Sequence, residues 1–348
     1  MHAEVGQHRE QPEPSWRRAI RQSIPQLPLA LAVAVAAAVM VSEGLTFGLR
    51  LVAWDWLLIS GLVAFSAGSV LVQGLPTRFE QMLLRLEHRG VLTSEAAAGA
   101  RLVIQQRVTW WGHLAGLAVS AALIVAFIAA QASPGLLVLE AALGYVAGCY
   151  LGRMVAYGSL GQVLQRQGNT LRVQVGHIDH AAGLKPTGDY YFYQASIAAI
   201  PALFLAVWIV LIPLWPHRGY DEWYQPYLGL LTLAVAFEML SFLAPLWSFH
   251  HQMVEQKCML LARADSLSCE MLDLQAEVSR LNEAERKARM AQLSVLEAEY
   301  REIEQTPTWP VDLTTWRRFV AGTGALLTPL VSDVLLEAIK RALPTRAA

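Results

Sequence analysis

Charged side chains are scarce in this chain. Only 16% of its 348 residues are charged, whereas a soluble domain usually carries about a quarter. The formal net charge is -1, which excludes a global field that would recruit nucleic acid or acidic substrates. Cysteine is rare as well, and three residues are too few and too odd a number for a disulfide framework. Apolar residues instead make up 55% of the chain, which indicates a membrane protein.

The sequence also lacks the motifs of ordinary catalytic sites. It contains no phosphate-binding glycine loop, no His-Glu-x-x-His helix, no nucleophile elbow and no paired-cysteine metal motif. We therefore expect neither an enzyme nor a resident organic cofactor.

Six stretches are apolar over the roughly 20 residues that a helix needs to cross the ~30 Å hydrocarbon core of a bilayer. The chain is therefore predicted to be an all-α, polytopic membrane protein with six transmembrane helices between residues 27 and 249. The stretches are approximately Pro28 to Leu49, Leu51 to Gln73, Val108 to Gln131, Gly135 to Gly152, Phe192 to Trp215 and Tyr227 to Trp247.

The basic residues orient these helices, because Lys and Arg are retained on the cytoplasmic side of short loops. The outer loops hold only Arg50 and Arg218. The segment 1–26, the loops 75–107 and 153–191, and the region after the sixth helix hold the rest. Both termini are therefore predicted to be cytoplasmic. The loop 75–107 is helical in its periodicity on both sides of Gly90 and predicts a helical hairpin.

The region 250–305 contains neither glycine nor proline and is predicted to continue the sixth helix into the cytoplasm. Apolar residues recur in it at alternating spacings of four and three, as in a coiled coil. This seam consists of Leu260, Ala264, Leu267, Met271, Leu274, Val278 and Leu281. The pattern fails at Glu285 and resumes at Leu293, which indicates a stutter or a change of packing partner. A lone helix would expose the seam, so we expect it to bundle copies of the chain into a homo-oligomer.

The C-terminal segment 306–348 follows the helix-breaking prolines Pro307 and Pro310 and is predicted to be amphipathic and helical. We expect it to lie at the membrane interface or to form a self-packed helical pair. A seventh transmembrane helix is the alternative. It would place Lys340, Arg341 and Arg346 outside, against the usual distribution of positive charge.

Two carboxylates fall within predicted transmembrane helices. Glu238 lies midway along the sixth, where a charge costs about 2.5 to 3.5 kcal/mol on insertion scales. It is either an ion or proton site or a structural carboxyl that is hydrogen-bonded to a neighbouring helix. Glu140 lies near the outer end of the fourth and is the second candidate for a pore or ion site.

Glycines recur every four residues in the third and fourth predicted helices. This spacing places them on one helix face and lets a second backbone approach closely, which predicts packing between these two helices. A pore lined by the glycine face is the alternative. The residues are Gly112, Gly116, Gly144, Gly148 and Gly152.

A cluster of imidazole and carboxylate groups precedes the fifth predicted helix. His177, Asp179 and His180 are of the types that bind a divalent transition metal. Such residues also cap turns or meet lipid headgroups, and their spacing does not decide between these roles.

The segment from Val175 to Gly188 resembles a loop of uncharacterised bacterial multi-span membrane proteins. In that pattern a His-x-Asp, here His177 to Asp179, leads to a Gly-Leu turn directly before a transmembrane helix. Ile178 and Ala182 stand where the pattern more often has Pro and Gly. The resemblance covers about two dozen residues and implies no activity. It implies placement in a bacterial inner membrane.

These features predict an oligomeric channel or pore-like effector that is assembled through its cytoplasmic helices. The heptad seam is the main support, and Glu238 would line or gate the conduit. A non-conducting sensor or scaffold that presents cytoplasmic helices to a protein partner is the first alternative. A secondary transporter is the second, and it predicts broken helices, for which only Pro201 and Pro245 are candidates. A membrane-embedded metalloenzyme using the histidines is the third.

Overall fold

The structure, a computed structural model, describes residues 56–129, 134–168, 171–211, 224–278 and 283–342. These residues form helices joined by turns and loops, and none of them lies in a strand. The all-α prediction is therefore confirmed for the described part of the chain. The first predicted transmembrane helix, Leu281 of the seam and the first residues of the second predicted helix lie outside it.

The chain divides into two units, each described by itself. One contains the described residues of Gly116–Gly148, and the other contains those of Trp56–Ala115 and Cys149–Ala348.

The first two helices are joined at Gly74. Helix α1 spans Trp56–Gln73 and α2 spans Leu75–His88. Helix α2 buries one face, formed by Leu75, Phe79, Met82, Leu83 and Leu86, because these residues recur every three or four positions. It ends before Gly90, whose φ of +69° allows the amide of Val91 to reach back to the carbonyl of Leu86.

Two long helices follow. Helix α3 spans Ser94–Ala129 and α4 spans Pro134–Gly158. The break between α2 and α3 falls at Gly90, as the sequence predicts. Arg101 of α3 donates to the Glu80 carboxylate of α2 at 2.8 Å, which ties the two helices together.

The short helix α5, Leu160–Arg166, leads into a loop at residues 171–184 and then into α6, Lys185–Leu211. Proline stands at the second position of α6, where its missing N–H breaks no helical hydrogen bond. Pro201 lies inside α6, yet the helix continues past it to Leu211.

The longest helix, α7, spans Tyr224–Val278 and continues through Pro245. It is followed by α8, Glu283–Glu304, and α9, Leu313–Ala342. Helix α9 begins at an N-cap, where the Asp312 carboxylate accepts a hydrogen bond from the amide of Thr315 at 3.0 Å.

Three of these helices are long and apolar enough to cross a membrane, among the residues that the structure describes. They are Ser94–Ala126 within α3, Lys185–Leu211, which is α6, and Tyr227–Ala276 within α7. The chain is thus a helical protein with candidate membrane spans. Helices α1 and α4 occupy the positions of the second and fourth predicted transmembrane helices. The count of six remains a prediction.

The continuous helix predicted over 250–305 is wrong. Helix α8 runs antiparallel beside α7, because Arg263 Nη2 donates to Glu299 Oε1 at 2.7 Å while Lys257 Nζ donates to the carbonyl of Glu304 at 2.9 Å. We call the part of α7 from His250 onward, together with α8, the long hairpin. The sequence signal was the failure of the seam at Glu285, which marks a change of packing partner.

The C-terminal segment forms one helix and not a helical pair, which corrects the second prediction for this region. Helix α9 packs against α6 and α7. Leu326 belongs to a buried cluster with Leu205, Ile209 and Val235 of those two helices. The described first half of α9 therefore lies beside candidate membrane spans, and its interfacial location stays a prediction.

Candidate functional site

Glu238 is buried at the contact between α7 and α9, with 4% of its surface exposed. Its Oε1 accepts a hydrogen bond from Thr323 Oγ1 at 3.0 Å, and Thr323 is buried as well. Its Oε2 has no hydrogen-bond partner among the described residues. The carboxyl thus holds two helices together through one oxygen, while the other oxygen is buried without a partner among the described residues.

Aromatic side chains line the α7–α9 contact one turn away from Glu238. The rings of Phe242 and Phe319 are stacked with centroids 4.1 Å apart. Trp316 lies 6.0 Å from Phe242, and Trp309 lies 6.3 Å from Trp316. The surroundings of the carboxyl are therefore largely apolar, which makes each of its few hydrogen bonds important.

The order of these contacts defines the direction of α9. Phe319 meets Phe242, Thr323 meets Glu238, and Leu326 packs near Val235, so α9 runs antiparallel to α7. Thr323 consequently lies at the same depth as Glu238 in the apolar part of α7. Sequence reasoning singled out Glu238 but missed Thr323, since a single threonine in an amphipathic helix gives no signal of its partner.

Several polar contacts connect the base of the long hairpin with the start of α9. His250 Nδ1 lies 2.7 Å from the carbonyl oxygen of Thr308, and its ring stacks on Trp309 at 4.3 Å. Lys257 Nζ donates to the carbonyl of Thr306 at 2.8 Å. The segment between α8 and α9, which the sequence identifies only as a break, is therefore fixed against α7.

Asp312, which the sequence analysis missed, fixes the start of α9. Its Oδ2 accepts from Lys185 Nζ at 2.9 Å, so the N-cap of α9 is also bound to the first residue of α6. Burial raises the pKa of Asp312, but the hydrogen bonds from Thr315 and Lys185 outweigh it and lower the pKa to about 2. An aspartate just before Leu-Thr-Thr is a recognisable N-cap signal that could have predicted the helix start.

The seam residues are brought together with α8 of the same chain. Ala264 and Leu267 form a buried cluster with Ile303, and Leu260, Leu296 and Tyr300 pack around it. Leu274 and Val278 are also buried, while Met271 is half-buried. Within the described residues, the seam therefore packs against α8, and no second copy of the chain is needed to bury Ala264 and Leu267.

Asp179 anchors the loop 171–184 to the end of α2. Its Oδ2 accepts from Arg89 Nη1 at 2.5 Å, and its Oδ1 accepts from the amides of Ala181 and Gly183 at 3.0 Å. Burial raises the pKa of Asp179, but the amide hydrogen bonds and His177 outweigh it, so the pKa lies below its usual range. The aspartate thus caps a turn and holds the loop in place.

The two histidines of this loop are less buried. His177 Nδ1 lies 2.9 Å from Asp179 Oδ1, while His180 is exposed and has a φ of +53°. Within the described ranges, no three His, Cys, Asp or Glu side chains are grouped so that they could hold a metal ion. In this loop, at most two side chains, His177 and Asp179, are close enough to bind one metal ion together.

The glycines of α3 and α4 lie where backbones approach closely. In the larger unit, a Cβ atom at Gly152 would overlap the carbonyl group of Trp111, and one at Gly112 would lie 3.5 Å from the Cys149 carbonyl oxygen. In the smaller unit, Ser120 Oγ donates to the carbonyl of Ala141 at 2.9 Å, and a Cβ at Gly144 would overlap the Leu123 side chain.

Two other glycines of this set, Gly116 and Gly148, lie in the same helices and are buried. The side chain of Glu140 lies outside the described part of the structure.

Comparison with protein-family models, curated proteins and solved structures finds no match for this chain.

Proposed function

We propose that this protein is a non-conducting membrane scaffold or sensor that presents its long hairpin to a protein partner. The observation that carries the proposal is the packing of Ala264 and Leu267 against Ile303 of the same chain. A seam that is buried within one chain does not require an oligomer. The feature that favoured a multi-subunit channel therefore favours a scaffold instead.

The outer surface of the long hairpin supports a role in binding. The contacts of Arg263 with Glu299 and Lys257 with Glu304 set a register that brings Leu272 level with Met290. Leu272 is 65% exposed and Met290 is 51% exposed. Apolar side chains on an otherwise polar surface are typical of contact sites for other proteins.

The continuity of α7 supports a sensing role. The helix runs without interruption from the Glu238–Thr323 contact through the long hairpin to Val278, over about 60 Å at 1.5 Å per residue. The segment before α9 is fixed to the same helix. A change at the buried carboxyl would therefore reach the hairpin through one rigid element.

The proposed setting is a bacterial inner membrane, with the N-terminus and the long hairpin on the cytoplasmic side. The concentration of basic residues in the loops on that side supports this orientation. Helix α9 packs beside the apolar part of α7, and its 30 residues would extend about 45 Å, which is longer than the ~30 Å hydrocarbon core. We therefore propose a seventh transmembrane helix and an outer C-terminus, in place of the cytoplasmic C-terminus that the sequence predicts.

An ion or proton conduit is the second candidate, and one observation favours it. Glu238 Oε2 is buried and has no hydrogen-bond partner in the described residues. A secondary transporter has less support, because α6 and α7 both continue through their prolines, Pro201 and Pro245.

Flux measurements on reconstituted vesicles separate these functions. We expect ion and proton fluxes equal to those of empty vesicles, in the wild-type protein and in Glu238→Gln alike. A flux above the empty-vesicle rate that Glu238→Gln abolishes would overturn the scaffold and support the conduit.

Photo-crosslinking tests the partner surface. A photoreactive residue at Leu272 or Met290 should give a discrete adduct with another protein in intact cells. The same residue at Ser266, an exposed position nearer the base of the hairpin, serves as the control. Adducts that contain only this chain would support an oligomer instead.

A reporter fused after Ala348 tests the topology. We expect it to be active on the outer side of the membrane, and activity on the cytoplasmic side would show that α9 does not cross.

A further inference from the structure

A groove of about 370 Å³ lies between α3, α4 and α7 in the larger unit. Its walls are mainly apolar and include Trp111, Val155, Leu240, Ala244 and Pro245. Leu240 and Val155 are 61% and 49% exposed, so the groove opens at the side of the bundle. An opening on a face of candidate membrane spans admits the lipid chains that surround the protein.

The position of the groove along α7 shows how deep it reaches. It extends from Pro245, at the end of the apolar part of α7, to Phe237, next to the buried Glu238. This spacing of eight residues corresponds to about 12 Å along the helix. The groove therefore begins near one membrane face and ends near mid-membrane, as an acyl chain does.

A buried amide lies in the wall of this groove without a full set of partners. Gln194 is only 2% exposed, and its Nε2 donates to the carbonyl of Met154 at 2.9 Å. Its Oε1 accepts no hydrogen bond from the described residues. A buried amide oxygen usually has a donor, so a ligand with a hydroxyl group would complete this site.

Arg107 contacts two residues that line the end of the groove near the membrane face, Ser159 and Trp111. Arg107 Nη1 donates to Ser159 Oγ at 2.8 Å while its guanidinium lies 5.3 Å from the centre of the Trp111 ring. Arg166 is close enough to repel Arg107 electrostatically. No carboxylate of the described residues forms an ion pair with Arg107 or Arg166, so an anionic ligand here would meet uncompensated positive charge.

We propose that this groove binds an anionic phospholipid whose headgroup carries hydroxyl donors. The phosphate lies on Arg107 and Arg166, a headgroup hydroxyl donates to Gln194 Oε1, and an acyl chain lies along Ala244 and Leu240. A neutral lipid would fill the apolar part alone and leave the two cations without a counter-charge. The site goes beyond the proposed scaffold function and does not depend on it, because it requires only that the chain be embedded in a bilayer.

The test measures the fluorescence of Trp111 in lipid vesicles. The acyl chains of the lipids are brominated, so they quench tryptophan fluorescence on contact. The signal of Trp111 is the difference between the wild-type protein and Trp111→Phe, which keeps a ring beneath Arg107. Each cation near the membrane surface contributes about a fivefold preference for an anionic lipid. We expect brominated phosphatidylglycerol to quench this signal with about 25-fold higher affinity than brominated phosphatidylcholine.

Four variants test the location of the site. Arg107→Gln and Arg166→Gln should each lower it about fivefold, and Arg166 is exposed, so its substitution leaves the packing intact. Arg85→Gln removes an exposed positive charge from α2, and it should have no effect. Ala244→Phe, at an exposed position in the groove, should reduce quenching by both lipids. Equal quenching by the two lipids, or a preference that both arginine variants leave unchanged, would overturn the proposal.

Discussion

Helix α7 binds a different partner helix at each end, and the two contacts use opposite chemistry. In the long hairpin, α8 is held by a small apolar cluster and by the exposed ion pair of Arg263 with Glu299. Beside the apolar part of α7, α9 is held by stacked aromatic rings and by the hydrogen bond between Thr323 and Glu238.

The difference follows from the surroundings of each contact. An ion pair that water can reach contributes little to stability, because water hydrates the two separated charges nearly as well as they bind each other. A carboxyl among apolar side chains cannot be hydrated in this way, so one hydrogen bond to it contributes far more to stability. Polar groups should therefore be replaceable in the long hairpin and costly to replace at Glu238.

The largest expected effect is at Glu238. Glu238→Lys should destabilise the protein by about 3 kcal/mol or more, because it puts an unpaired cation beside Thr323 in an apolar contact. Thermal unfolding in detergent measures this. Glu238→Gln is the matched control and should cost much less, since its amide oxygen can still accept from Thr323. Equal stability of the Lys variant would mean that the carboxyl reaches water.

The next effect is at the seam. Leu267→Asp should cost about 2 to 3 kcal/mol, because Leu267 is buried against Ala264 and Ile303. The mass of the detergent-solubilised particle should not change, since the seam is covered within the chain. Leu272→Asp, at an exposed position five residues later, is the control and should leave stability nearly unchanged. A smaller particle in the Leu267 variant would show that the seam joins copies of the chain after all.

A smaller effect is expected at the start of α9. Asp312→Ala should cost about 1 to 2 kcal/mol through loss of the N-cap. The pKa of Asp312 in the folded protein, about 2, is below the ordinary value near 4 in the unfolded chain. The contribution of this carboxylate to stability is therefore full above about pH 4 and is lost as the pH falls toward 2.

Unfolding experiments at pH 2 to 5 test this pH dependence of stability. The difference in stability between wild type and Asp312→Asn should shrink as the pH falls through that range. A difference that stays constant would show that the carboxylate charge does not contribute.

The smallest effect is at the exposed ion pair of the long hairpin. Arg263→Ala should change stability by no more than about 0.5 to 1 kcal/mol, because the side chain of Arg263 is 65% exposed. Chemical unfolding at low and high salt measures this, and any loss should vanish at high salt. A loss as large as that of Leu267→Asp would contradict the comparison of the two ends of α7.

Sequence patterns predicted the positions of the helices better than the contacts between them. The break at Gly90, the helical character of the C-terminal region and the helices at the candidate spans follow from periodicity and from glycine and proline positions. The side on which the seam is buried does not, since Leu267 would show the same spacing against α8 or against a second copy. Asp312 carried a readable cap signal, whereas Gln194 and Thr323 acquire their meaning only from neighbours far away in the chain.

The sequence by itself determined that this chain is a helical membrane protein and that Glu238 is its most costly residue to bury. Both conclusions rest on local quantities, the length of apolar stretches and the transfer of a charge out of water. Only the tertiary structure decided that α8 covers the seam, that α9 lies beside α7 at the depth of Glu238, and that Asp179 serves a turn. These depend on which surfaces meet, and an apolar stripe or a carboxylate can be satisfied equally well by several partners until the fold selects one.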